Sequence, residues 1–298
     1  MRSKNTLGFL CIMILSMTLW GGSWVSAKLV TDAYSPQIII FWRFLFTTLS
    51  LAPVLPITSS PFKTDIKAMF YSAAGALLLV IYNFLFFTGL RVGLAGAGGV
   101  LVTTTNPLFT FLILSVFLKT KLKINEFIGI FLGLLGGLTI IGVWNADPQI
   151  IFQKGNILFL IASFVWALLT ITSRKGISIG TPYMTYSFYL YLFCTLFSFP
   201  FALKHNILKP LDAGISFWMN IIFLSTIVTA FATTTYFYAS NRLGSGKASS
   251  FIFLVPLSAM LLSWLILNEQ PAISTIIGGV MALSAVYMIN IKTSKLNK

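Results

Sequence analysis

The sequence WGGSWVSAKLVTDAYSP at residues 20–36 has a counterpart at residues 166–182, WALLTITSRKGISIGTP. The two stretches align an aromatic, a basic and a proline position, each 146 residues apart: Trp20 with Trp166, Lys28 with Arg174 and Pro36 with Pro182. Two further pairs recur 149 residues apart: Pro107 with Pro256 and Gly129 with Gly278. A long period of this kind indicates an internal duplication, and the shift of three residues is a difference in loop length.

The composition indicates that both copies lie in a membrane. Of the 298 residues, 57% are hydrophobic and only 9% are charged, which no soluble domain could display on its surface. Ten membrane-spanning helices would use about 200 residues and leave about 100 for eleven loops and tails. We therefore exclude a nucleotide-hydrolysing module, a sensor domain and a soluble catalytic domain.

The apolar stretches predict an all-α integral membrane protein with ten transmembrane helices. Their expected ranges are 7–27, 36–57, 67–90, 95–118, 124–143, 155–173, 182–203, 214–240, 245–268 and 271–291. We assign residues 1–145 to the first repeat and residues 146–298 to the second. Because each repeat holds five helices, an odd number, the second enters the membrane upside down. Inverted repeats of this kind enclose a central cavity in many secondary transporters.

Basic residues predict the orientation. The net charge is +14, but the Lys and Arg residues sit at the ends of apolar runs, which is a topology signal and does not indicate nucleic acid. With the N-terminus inside, fourteen of them fall on the cytoplasmic side and five outside. We expect a multi-pass protein of a bacterial cytoplasmic membrane with both termini in the cytoplasm. The alternative, a signal peptide cleaved after Val25-Ser26-Ala27, fits less well because its apolar run is too long.

Several motifs resemble a known family. In the first half they are Trp20-Gly21 with Lys28, Pro36 with Arg43-Phe44, Gly89-Leu90-Arg91, Asn106-Pro107-Leu108-Phe109, and Gly129, Gly133 and Gly136. In the second half they are Trp166, Pro182, residues 239–242, Pro256, Leu267-Asn268-Glu269 and Gly278-Gly279. Together they resemble the drug/metabolite transporter superfamily, specifically its ten-helix members built from two EamA domains. One departure is Lys119-Thr120-Lys121, where the family tends to have a Gly-Glu pair.

The resemblance implies two inverted five-helix repeats around a central cavity, with alternating access. It also implies transport of small metabolites: the export of amino acids or, in related branches, the exchange of nucleotide sugars and phosphorylated sugars. The family name does not choose among these cargoes.

In the first half, three residues with hydrogen-bonding side chains are expected to form a layer at one depth in the membrane: Trp20, Arg43 and Asn83. Arg43 lies seven residues into the second helix, about 10 Å below the boundary, where an ionised group is expensive unless it faces the protein interior. Its guanidinium is a candidate for holding a substrate carboxylate or phosphate by two parallel hydrogen bonds. The alternative is that Arg43 reaches the interface or caps helix-end carbonyls.

The corresponding layer of the second half holds Trp166 and Tyr189, and Tyr189 occupies the position equivalent to Arg43. An arginine on one side and a tyrosine on the other suit a substrate with an anionic head and an apolar or aromatic body. The alternative is an aromatic belt at the membrane interface.

Hydroxyl-rich segments supply the remaining candidates, Thr104, Tyr236 and Ser250, as substrate hydrogen-bonding groups. Thr104 belongs to the run of residues 103–107 that ends in proline, and Tyr236 follows three consecutive threonines. Clustered hydroxyls beside a proline also satisfy the backbone groups that a kinked membrane helix frees. We favour this structural interpretation over substrate binding for the hydroxyl-rich segments.

The positions of the acidic residues and of histidine predict how transport is driven. All six acidic residues lie in loops or at predicted helix ends, and His205 lies in a loop. A proton-driven pump normally keeps such a group within the membrane, so facilitated diffusion or exchange is favoured. We expect no catalysis, no cofactor and no metal.

The expected function is a secondary transporter that exports or exchanges amino acids or related amphipathic compounds. One alternative is uptake or exchange of a nucleotide-like or sulfonium metabolite. Another is a non-transporting membrane scaffold or a lipid-active enzyme. The expected partners are the lipid bilayer and a small-molecule substrate, and the oligomeric state is left open.

Overall fold

The computed structural model describes residues 2–93, 95–117, 119–141, 154–259 and 273–290. Within these ranges the chain is helical and contains no β-strand. Seven helices are long and apolar enough to cross a membrane, and two shorter apolar helices lie at Ile124–Ile140 and Ile276–Asn290. Large apolar side chains lie on the outer surface, including Leu49, Phe70 and Ile222, as is required of a surface that faces lipid. The protein is a multi-pass membrane protein.

The helices of the first half follow the predicted apolar segments. They are α1 (Arg2–Ala33), α2 (Pro36–Leu51), α3 (Ile66–Val92), α4 (Ala95–Val116) and α5 (Ile124–Ile141). Pro36 begins α2, because its missing N–H costs nothing in the first turn. Asp65 caps α3 by accepting a hydrogen bond of 2.7 Å from the Lys67 backbone N–H. A turn at residues 52–53 interrupts the helix, and a single further helical turn follows at Val54–Ile57.

The first helix is longer than predicted. It continues six residues past residue 27 because Lys28 and Asp32, one turn apart, pair at 2.8 Å. The Lys28 ammonium also donates to the Leu90 carbonyl at the end of α3. Charges that indicated a loop in the sequence therefore stabilise the last turns of the helix.

The second half contains α6 (Lys154–Ser178), α7 (Tyr183–Lys204), α8 (Ile215–Leu243), α9, which begins at Ser245 and is described to residue 259, and α10 (Ile273–Asn290). Gly244, with φ of 93°, separates α8 from α9. Residues 142–153 and 260–272 lie outside the described ranges, and with them Asp147, Glu269 and the predicted ends of three helices.

Equivalent helices of the two halves pack against each other in opposite directions. In α2 and α7, Phe41 lies 5.7 Å from Phe199 between ring centroids, and the Thr48 hydroxyl lies 3.3 Å from that of Thr195. In α5 and α10, Gly129 faces Ile289 while Gly136, farther along α5, faces Gly278, at the start of α10. The third helix of each half packs on the first helix of the other half: α3 on α6, and α8 on α1. Most of the core is thus formed between the halves.

Candidate substrate-binding site

A cavity of ≈ 60 Å³ lies between the two halves of the protein. Its walls come from α1, α2, α3, α4, α6, α8 and the start of α9. One part of the lining is aromatic: Trp20, Trp24, Tyr82, Phe86 and Trp166. Another is polar: Ser23, Arg43, Thr103, Asn106 and Thr233. The rest is aliphatic, and Arg43 is the one charged side chain among these lining residues.

Arg43 reaches the cavity from α2 and is held by neutral groups. Its Nε donates to the Thr229 hydroxyl at 3.0 Å, and its Nη1 donates to Asn83 Oδ1 at 3.1 Å. The ring of Phe87 lies 5.9 Å from the guanidinium carbon. The ion pair Lys28–Asp32 lies away from the cavity, and no carboxylate belongs to the described lining. Arg43 therefore presents a positive charge to the cavity without a carboxylate partner.

Both acceptors that hold Arg43 are themselves fixed. Asn83 donates through Nδ2 to the Leu79 carbonyl at 2.8 Å, so its Oδ1 is the atom turned to the guanidinium. Thr229 donates its hydroxyl to the Leu224 carbonyl at 2.6 Å, which leaves its oxygen lone pairs to accept. The guanidinium has five N–H groups, and these bonds use two of them.

Helix α8 is a π-helix at the level of Arg43, over Phe223–Thr233. Its wider turn shifts the register of the backbone, and side chains of neighbouring helices bond to its carbonyls. Thr47 of α2 donates to the Ser225 carbonyl at 3.1 Å, and Tyr191 of α7 donates to the Thr229 carbonyl at 3.1 Å. Such segments are frequent at functional sites, and this one supplies Leu224, Val228 and Thr233 to the cavity lining.

The aromatic wall is a set of rings in edge contact. Trp20 lies 5.2 Å from Trp166 between ring centroids, and Tyr82 lies 4.7 Å from Trp166. Trp24 and Phe86 continue the wall at 4.8 Å from each other. Tyr82 also stacks on Phe86 at 5.7 Å between centroids, so the wall offers aromatic surface suited to an apolar or cationic ligand.

Two copies of one family model match the chain, at residues 7–142 and 153–291; the model is that of the EamA-like transporter family. The chain belongs to this family. The resemblance to the drug/metabolite transporter superfamily and to two EamA repeats is thereby confirmed.

Relatives of this EamA protein carry the names of transporters without an assigned substrate. An uncharacterized transporter of Archaeoglobus fulgidus is 26% identical, with 98% of this chain and 99% of that protein covered. The uncharacterized transporter YdfC of Bacillus subtilis is 24% identical, with 99% and 95% covered. A crystal structure superimposes with a TM-score of 0.76 at 18% identity, covering 97% of this chain and 99% of that one; at this identity the likeness shows the fold.

The EamA fold brings several predicted site residues to this cavity. Trp20, Arg43 and Trp166 line it, and Asn83 is bonded to Arg43. Tyr236 lies directly behind the wall, with its ring 5.1 Å from that of Trp20 and its hydroxyl 3.0 Å from the hydroxyl of Thr170.

The other three predicted residues do not line the cavity. Thr104 donates to the Val100 carbonyl at 2.7 Å, and its methyl group packs against Gly137 of α5. Ser250 donates to the Lys247 carbonyl and accepts from Asn290. Both hydroxyls are used within the fold, which is the structural interpretation that the sequence also allowed.

Tyr189 is the clearest departure from the sequence prediction. Its hydroxyl donates to the Phe62 carbonyl at 2.7 Å, in the loop between α2 and α3. Tyr191, two residues later, instead approaches the Arg43 site through Thr229. Two residues turn a helix by about 200°, so one of the two tyrosines faces the site and the other faces away.

Sequence reasoning missed several lining residues. Trp24 follows Trp20 by one helical turn, and Tyr82 precedes Asn83; both adjacencies were visible signals. Asn106 precedes the repeated Pro107 and belongs to the Asn106-Pro107-Leu108-Phe109 motif. In the part of the chain that the structure describes, no group of three His, Cys, Asp or Glu residues could hold a metal ion.

Proposed function

We propose that this EamA protein is a secondary transporter for amino acids or related amphipathic compounds. It would export or exchange them across a bacterial cytoplasmic membrane by alternating access. The observation that carries this proposal is Arg43, a charged side chain that lines the cavity between neutral acceptors. A buried charge without an opposite charge is costly, so a bound carboxylate would stabilise the loaded protein.

The rest of the cavity supports an amphipathic body for the substrate. Trp20, Trp24 and Trp166 offer ring surface within the same lining that contains Arg43. Small-molecule sites generally combine such apolar walls with a few placed polar groups. At ≈ 60 Å³ the cavity is smaller than the usual range for a ligand site, so binding would require side chains of the wall to move apart.

The direct test is counterflow in liposomes that contain the purified protein. With L-phenylalanine inside as unlabelled driver, we expect saturable uptake of labelled L-phenylalanine that empty liposomes lack. An Arg43→Leu protein should lose this uptake, whereas Arg91→Leu, at the exposed end of α3, should keep it. If a broad panel of amino acids gives no flux, the cargo class is wrong. Flux of nucleotide-like or sulfonium compounds in the same panel would establish the alternative cargo.

We also propose ten spans arranged as two inverted repeats with both termini in the cytoplasm. The antiparallel packing of α2 on α7 and of α5 on α10 supports this arrangement. Ala33 and Ile179 are exposed and equivalent in the two repeats, so cysteines placed there in a cysteine-free background should label from opposite sides of the membrane. Labelling from the same side would refute the inversion.

Exchange is the proposed energetic mode because no acidic residue belongs to the cavity lining. In the described ranges, Asp65 caps α3 and Glu126 accepts from the Lys123 backbone N–H, both near helix starts. In liposomes without internal substrate, an imposed pH gradient should therefore drive no accumulation of labelled amino acid. Accumulation that requires the pH gradient and is abolished by a protonophore, while counterflow continues, would show that proton movement is coupled to transport.

A further inference from the structure

Asn106 of α4 lines the cavity and is only 1% exposed. Its Nδ2 donates to the Ser163 carbonyl of α6 at 3.0 Å. A backbone carbonyl can only accept, so this bond fixes which end of the amide is the nitrogen. The other end, Oδ1, is buried and has no hydrogen-bond partner.

An unpartnered buried acceptor is unfavourable, since a polar group taken out of water without a new hydrogen bond loses free energy. Here the unpartnered atom belongs to a residue of the cavity wall, which makes a ligand its available partner. The ligand atom must be a hydrogen-bond donor, because Oδ1 can only accept.

We propose that Asn106 Oδ1 accepts a hydrogen bond from the ammonium group of the substrate, and that Asn106 thereby selects compounds with an N–H donor. This inference rests on the proposed function, in which Arg43 holds the carboxylate. The two residues would divide the polar ends of one zwitterion between them. Asn106 is then a specificity-determining residue.

Three features of the lining favour an ammonium over a hydroxyl donor. A charged N–H donates about twice as strongly as a neutral group. No carboxylate in the described lining competes for it. Trp20 and Trp166 belong to the same lining, and aromatic rings attract a cation more than a neutral hydroxyl.

The test compares a substrate probe with its analogue that lacks the amino group. Tryptophan fluorescence of the purified full-length protein gives dissociation constants for L-phenylalanine and 3-phenylpropanoate, with L-leucine and 4-methylpentanoate as a second pair. Wild type should bind each amino acid about tenfold or more tightly than its partner, which is the range of one charge-assisted hydrogen bond. In Asn106→Leu this ratio should fall to near one.

Two variants control for structure. Asn106→Asp loses the bond to Ser163, as the leucine variant does, but keeps an oxygen acceptor, so it should retain the preference for the amino acid. Asn220→Leu makes the same change on α8, where Asn220 donates to the Ser216 carbonyl outside the cavity, and should leave both constants unchanged. N,N,N-trimethyl-L-phenylalanine tests wild type without any mutation: it keeps the positive charge but has no N–H, and it should bind more weakly than L-phenylalanine.

The outcomes separate this inference from the proposed function. A preference that persists in Asn106→Leu overturns the role of Asn106 and leaves the amino-acid transporter intact. Equal binding of the trimethylated compound shows that the rings recognise charge and overturns N–H donation. Equal binding of the amino acid and its analogue by wild type overturns ammonium selection. Failure of wild type to bind any of the four probes overturns the proposed cargo class and this inference with it.

Discussion

Replacement of Arg43 by lysine is the sharpest test of the anion site, because it keeps the charge and removes the forked geometry. In the wild type, two of five guanidinium N–H groups go to Thr229 and Asn83, which leaves three for a substrate. A lysine ammonium has three N–H groups on one atom. If it keeps the same two acceptors, one N–H remains, so a carboxylate would receive one hydrogen bond in place of two.

The expected loss follows from that difference. One charge-assisted hydrogen bond is worth about 1.5–3 kcal/mol, so the dissociation constant for L-phenylalanine should rise about ten- to a hundredfold in Arg43→Lys. The affinity for 2-phenylethylamine, which has no carboxylate, should change little. Binding is measured by tryptophan fluorescence and transport by counterflow.

The control is Arg91→Lys, the same change at the exposed end of α3, which should leave both measurements unchanged. A folded Arg43→Lys protein whose affinity for L-phenylalanine stays within about twofold of wild type would refute the reasoning, since the loss of one such bond predicts a larger change. Arg43 would then be a structural residue that fastens α2 to α3 and α8.

Two further predictions follow from placements that the structure decided. Tyr189→Phe should leave the counterflow rate within about twofold of wild type, because the Tyr189 hydroxyl bonds to the Phe62 carbonyl outside the cavity. The loss of that hydrogen bond should lower the free energy of unfolding by about 1 kcal/mol. A large rise in KM would show instead that Tyr189 contributes to substrate binding. Gly137→Ala should lower the melting temperature, since the added Cβ would collide with the Thr104 side chain and overpacking costs about 1–3 kcal/mol. Adding Thr104→Ser removes the methyl group, which is the nearer of the colliding atoms, and should recover part of the lost stability; no recovery would show that the collision with this methyl group is not the cause.

The structure changes how the polar residues in the membrane are interpreted. The threonines at residues 103–105 each donate to a carbonyl one turn earlier in α4, so their hydroxyl protons are used within that helix. The buried tyrosines Tyr186 and Tyr236 likewise bond to Ser173 and Thr170. Hydroxyls alone were thus poor guides to the cavity lining, whereas Arg43, the arginine predicted at membrane depth, does line the cavity.

The amino-acid sequence by itself determined the membrane class, the duplication and, within the residues that the structure describes, the approximate helix ranges. Backbone groups in lipid must form hydrogen bonds within their own helix, so each span is a helix, and its side chains are mostly apolar because they face lipid. Each span therefore corresponds to an apolar run that is visible in the sequence. The same physics marked Arg43, since an arginine inside such a run needs a protein partner.

Only the tertiary structure decided which face of each helix meets the cavity. A helix that is apolar all round carries no amphipathic pattern to fix its rotation. The packing of one half on the other turned Tyr191 towards the site and Tyr189 away, and it left the Asn106 oxygen unpaired. It also placed the π-helix of α8 beside Arg43. The sequence could not show these placements, because they depend on contacts between helices that lie far apart in the chain.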